Sequence, residues 1–209
     1  MKRSVLLIVV FLALPLRGEI IDRIAAVVDD QVITLSELNQ IVEIELLPRR
    51  PGEGDPAYRR RVLERMIDQI LRYRDVERGG AEDVPADAIE ASLRRIIARY
   101  PSEQSFMEAL ARVELTLDHV RTLIKRNQQV QRYIDERYAP TIFVSLAEIE
   151  RYYRDVWAPQ RRERGLPVPA LEDVREEIRR DVRAERLERQ VERWTQQLRS
   201  RANIDIFVF

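Results

Sequence analysis

Two β-branched stretches stand at the ends of a chain whose middle reads as helix. Residues 20–34, IIDRIAAVVDDQVIT, alternate loosely about Asp29-Asp30, and the sequence closes on IDIFVF. The first stretch suits a short hairpin with the two aspartates in its turn. A two-stranded hairpin alone is marginal in water. The closing strand is therefore expected to return and pair with residues 20–33, which brings the two stretches together around a helical body. The expected fold class is mainly α: a helical bundle with a small antiparallel sheet formed by the N-terminal hairpin and the C-terminal strand.

The helices announce themselves by caps and breakers. Thr34 and Glu37 form a capping box, T-x-x-E, starting a helix expected to run to about Leu47, ahead of PRRPGEGDP. Asp55 is expected to cap a second helix with Pro56 at its first position, ending at Gly79-Gly80. In it Val62, Met66 and Ile70 make one row and Leu63, Ile67 and Leu71 another, an apolar face wide enough to serve as the hub of a bundle. A third helix near Pro85 carries Ile89, Leu93, Ile96 and Ile97; Pro101 closes it and Ser102 opens a short one through Phe106, Met107 and Leu110. Thr116 starts a longer helix with Val120, Ile124, Ile134 and Tyr138, which Pro140 stops. Ser145 and Glu148 form a further capping box before Ile149, Tyr152, Tyr153, Val156 and Trp157. Residues 158–170, APQRRERGLPVPA, read as a connection, and from Leu171 a long helix shows apolar residues at three- and four-residue steps through Trp194 to Leu198.

Ahead of all this lie Lys2, Arg3, an apolar run from Val5 to Leu14, Pro15 and Gly18. That order reads as a secretory signal peptide over residues 1–18. The run is shorter than the roughly twenty residues that span a bilayer, so cleavage and release are expected, with no stable membrane insertion afterwards. Leu16 stands where a small residue precedes most cleavage sites, and a retained anchor stays open as the alternative. Cysteine is absent, which excludes disulfides, thiol chemistry and a lipid-bearing cysteine. Among these expectations the natural location is the bacterial envelope.

Catalytic signatures are missing. His119 is the sole histidine, and neither G-x-x-x-x-G-K-[ST] nor G-x-G-x-x-G occurs, so no metal cluster, catalytic triad or nucleotide loop is expected. The 36 basic residues, nearly all arginine, are balanced by 36 acidic ones and interleaved with them, as in Glu176 with Arg180 and Glu185 with Arg189. That interleaving suits solvated helix faces and argues against nucleic acid, which selects for a concentrated basic stripe. No catalytic, cofactor-binding or metal-binding residue is nominated.

Four segments carry a family resemblance. IDRIAAVVDDQVITLSELNQ resembles the opening of the SurA family of periplasmic chaperones, and RRRVLERMIDQILRYRDVERGG resembles that family's second helix, with Val62, Leu63, Met66, Ile67, Asp68, Ile70 and Leu71 at matching positions. FMEALARVELTLDHVRTLIKRNQQVQRYIDE is similar to a further family segment, departing at Val113-Glu114, where glycine is common. LEDVREEIRRDVRAERLERQVERWTQQLRSRANIDI is similar to the closing helix and strand, including Trp194, Leu198 and Arg199. The resemblance implies a SurA-like helical core at 19–157, a Pro-rich connection at 158–170, and a closing helix and strand at 171–209 that pack back on the core. Members of the family usually carry parvulin-type prolyl isomerase domains where residues 158–170 stand. About a hundred residues cannot fit there, so isomerase activity is expected to be missing.

What the resemblance implies is an ATP-independent periplasmic holdase for unfolded or extended polypeptides, outer-membrane β-barrel proteins in particular. Such a protein needs an open groove with apolar and aromatic lining. Tyr138, Tyr152, Tyr153 and Trp157, beside the Pro-rich connection, are the client-binding candidates. An envelope adaptor with one fixed partner is the other reading, since wide apolar faces suit a permanent interface equally well; a prolyl isomerase is the third.

Overall fold

A computed structural model describes residues 22–208; the expected signal peptide lies outside them. The chain order is β1 (Ile24–Val28), β2 (Gln31–Thr34), α1 (Leu35–Glu43), α2 (Asp55–Arg78), α3 (Ala86–Ile97), α4 (Glu103–Arg112), α5 (Leu117–Arg137), α6 (Leu146–Tyr152), α7 (Ala158–Glu163), α8 (Leu171–Arg199) and β3 (Ile204–Ile206). The architecture is mainly α with one small antiparallel sheet, as expected.

β1 is the central strand, in the order β2-β1-β3. Val28 pairs with Gln31 across the two-residue Asp29-Asp30 turn, and with Ile204 on the other side. Asp29 takes a left-handed φ of +55°, tolerable for aspartate. It also locks the returning strand: its N–H donates to Asn203 O and its Oδ1 accepts from Asn203 N, both at 2.8 Å. Arg74 of α2 reaches over the same turn to Asp29 and Asp30.

α2 is the hub. Its buried Val62, Leu63, Ile67 and Leu71 join Ala25, Ala26, Val28, Ile33 and Leu38 in a core beneath the sheet. A second core gathers Ile44, Leu93, Phe106, Leu110, Leu115, Val120 and Ile124 from the end of α1, from α3, α4 and α5, and from the α4–α5 link. A third contact zone, around Val76, Val130, Ile134 and Trp194, joins α2, α5 and α8. There Trp194 Nε1 donates to Asp75 at 3.0 Å, and the indole packs tilted on Tyr133 and Tyr138.

Two sequence expectations are corrected locally. The N-cap of α2 is Gly54, with Asp55 as the first helical residue and Pro56 just inside. The Asp55 carboxylate is engaged by Arg49 at 3.0 Å instead of folding back on the backbone. The connection at 158–170 is partly helical. α6 passes through a π turn at Tyr153–Trp157 directly into α7, and the irregular stretch is only 164–170. Pro159 accounts for the π turn: it cannot donate to the carbonyl four residues back and its ring crowds it, which a wider turn relieves. Gly165, at φ +67°, ends α7: Leu166 N bonds Arg161 O and Gly165 N bonds Arg162 O, the two bonds of a Schellman cap.

At 29 residues, α8 is about 44 Å long and serves two neighbourhoods. Its C-terminal half packs on α2 and α5. There Arg199 bonds Asp68 at 2.6 Å and Glu64 at 2.7 Å, and buried Arg72 donates to Thr195 at 2.7 Å. Its N-terminal half carries Val174, Ile178 and Val182 into a separate core with α6 and α7.

Candidate functional site

The α6–α7–α8 core sets the geometry of the candidate surface. Ser145 caps α6 in the expected box with Glu148, whose Oε2 accepts from Ser145 N at 2.9 Å. Val144 just before the cap and Ile149 in the next turn are both buried in this core, the two halves of a hydrophobic staple. Side chains alternate along extended chain, so anchoring Val144 inward turns Phe143 outward. Phe143 is 78% exposed, the highest value among the exposed large apolar side chains of the described residues. Leu146 follows at 51%.

These two, with Ile142, Val144 and Ser145, form one wall of a hollow of about 360 Å³ whose other wall is Arg179 and Arg183 of α8. Arg183 donates to Ala139 O at 3.0 Å. Arg179 pairs with Glu176, one helical turn away. Arg186 clamps the segment by bonding both Phe143 O and Glu148. On the other side of that clamp lies a second hollow of about 220 Å³, lined by Tyr152, Val156 and Val182 among charged residues that include Asp155, Glu185 and Arg189.

The four candidate aromatics are not brought to one place. Tyr152, Tyr153 and Trp157 share the α6–α7–α8 core; Tyr138 belongs to the zone around Trp194, at 5.6 Å between ring centroids. Trp157 is 8% exposed, stacked on Tyr153 at 5.6 Å and covered by the Arg161 guanidinium at 4.7 Å. Tyr153 donates its hydroxyl to Pro169 O at 2.7 Å, which pins the irregular stretch to the π turn. Tyr152 is half-buried and lines the second hollow; burial, helped by Asp181 and Glu185, raises its hydroxyl pKa. Tyr138 precedes a 3₁₀ turn at Ala139–Thr141, and the carbonyl of Ala139 is the one that holds Arg183. Phe143 escapes a reading of the sequence because the three-residue apolar run before the Ser145 cap has no periodicity, and Leu146 because it is a single apolar residue at the first position of α6.

Among the described residues no group of acidic or histidine side chains is arranged to hold a metal ion, and no helix is long and apolar enough to cross a membrane. His119 sits exposed on α5.

The chain is 32% identical to a Chaperone SurA of Pseudomonas putida over 137 residues, 63% of this chain. A Chaperone SurA of Chromobacterium violaceum is 31% identical over 152 residues, 70% of this chain. The chain is SurA-like. More distant is the Chaperone SurA of Legionella pneumophila, at 21% identity over 141 residues. The matched stretch is 32% of the first of these relatives and 35% of the second, so the chain spans about a third of the length of the SurA proteins it matches. No family model matches the chain.

Proposed function

We propose that this chain is an ATP-independent periplasmic chaperone, a holdase that keeps unfolded outer-membrane proteins from aggregating and has no isomerase activity of its own. The observation that carries the reading is the likeness to Chaperone SurA over most of the chain. The pair of shallow hollows flanked by exposed Phe143 and half-buried Tyr152 supports it, since weak apolar contact on an open surface permits release without fuel. Of the candidate aromatics, Tyr152 touches the client. Tyr153 and Trp157 hold the wall behind it, and Tyr138 positions the turn that anchors Arg183. With Trp157 and Leu171 in one core, the residues between them leave no room for a catalytic domain at that point.

Dilution of several unrelated unfolded β-barrel proteins from urea tests the reading: light scattering should fall with added protein and without ATP, while a proline-containing test peptide isomerises at its uncatalysed rate. Unchanged aggregation of every client, together with capture of one folded envelope protein, would establish the adaptor reading instead.

A further inference from the structure

The hollow between residues 142–146 and α8 has a chemistry more particular than apolar lining. Its floor is Ile142, Phe143 and Leu146, and its rim is two guanidiniums one helical turn apart. The charge there does not cancel. Glu148 is engaged by Arg186 and Ser145, and Glu176 by Arg179, but Arg183 is held only by the carbonyl of Ala139 and pairs with no carboxylate among the described residues. Glu176 is itself well exposed, so an incoming carboxylate can share or replace it on Arg179 at little desolvation cost. Arginine suits the task, because its planar fork meets a carboxylate through paired N–H donors.

We propose that this hollow binds an extended polypeptide segment in which an apolar side chain is followed closely by a carboxylate, the apolar group resting on Phe143 and Leu146 and the carboxylate on Arg183 and Arg179. The proposal rests on the chaperone reading for the source of such segments, unfolded client chains, and adds an acid-selective subsite to it.

Two fluorescein-labelled peptides of about ten residues test it, each with one phenylalanine among serines and glycines. One carries aspartate two residues after the phenylalanine, the other asparagine. Anisotropy titration of the full chain should show the acidic peptide binding about three- to tenfold more tightly, with the difference shrinking as NaCl is raised from 50 to 500 mM. Arg183→Gln keeps a donor for the Ala139 carbonyl but removes the charge; it should weaken the acidic peptide about two- to fivefold and leave the asparagine peptide unchanged. Phe143→Ser, at an exposed site that leaves the fold intact, should weaken both about tenfold. Equal binding of the two peptides, or equal loss of both on Arg183→Gln, would overturn the subsite. Concentration-dependent dimers in sedimentation that Phe143→Ser abolishes would overturn it too, by assigning the hollow to a second copy. Aggregation suppression that persists without acid preference would refute the subsite and spare the chaperone. Acid preference without aggregation suppression would do the reverse.

Discussion

Trp194→Phe tests how the long closing helix is held to the hub. The native indole is 6% exposed, donates Nε1 to Asp75 at 3.0 Å, and lies 5.4 Å from the Tyr133 ring and 5.6 Å from that of Tyr138. Phenylalanine keeps an aromatic ring against both tyrosines, so most of the packing survives. What is lost is a hydrogen bond to a charged acceptor that is half-buried, about 1.5–3 kcal/mol, plus a small unfilled volume. For a chain of this size, with a urea m-value of about 2–3 kcal/mol/M, the midpoint should fall by about 0.5–1.5 M. Circular dichroism at 222 nm is the probe, because the substitution removes one of two tryptophans. Asp75→Ala in a double-mutant cycle isolates the bond, and a coupling of about 1–2 kcal/mol is expected. That coupling should survive 1 M NaCl, unlike the contribution of the partly exposed Arg199 bridges to Asp68 and Glu64. A coupling below about 0.3 kcal/mol, the noise of additivity, would refute the argument that this bond rather than general packing holds α8.

Glu114 occupies the left-handed position of a Schellman cap on α4, at φ +53°, with Leu115 N on Leu110 O and its own N–H on Ala111 O. Glu114→Gly should raise stability by about 0.5–1 kcal/mol in the same urea assay, and a loss would show that its backbone strain is compensated. The Arg61 guanidinium holds the Glu53 carboxyl at about 2, below its ordinary 4.5. Because the folded value is the lower one, the stabilisation is full above pH about 4.5 and lost as pH falls through about 2. The midpoint gap between wild type and Glu53→Gln should therefore close across that window, and a gap constant from pH 6 to 2 would sink the assignment. Trp157→Ala should cost about 3–5 kcal/mol, as a buried core residue does, whereas Tyr152→Ala should reduce client binding at a smaller stability cost.

The elements legible in the sequence were those whose information is local. Capping boxes at Thr34 and Ser145 were readable because both partners lie within four residues, and the hub face of α2 because its two apolar rows repeat over several turns. The return of β3 onto β1 followed from the instability of a lone hairpin, a physical requirement and not a pattern. The site was less legible. Aromatic side chains beside a Pro-rich stretch pointed to α6 and α7, but Trp157 is a core residue: the chain runs through the π turn at Tyr153–Trp157 into α7 where a break at 158 is expected, and the ring packs in the α6–α7–α8 core. Phe143 was invisible for the opposite reason: its exposure is set by Val144, which the staple with Ile149 claims for the core. The same staple thus stabilises the start of α6 and presents the apolar floor opposite Arg179 and Arg183. Fold and candidate site are coupled there through one residue. Any substitution that frees Val144 should hide Phe143, and the groove would lose its apolar wall without a single lining residue being changed.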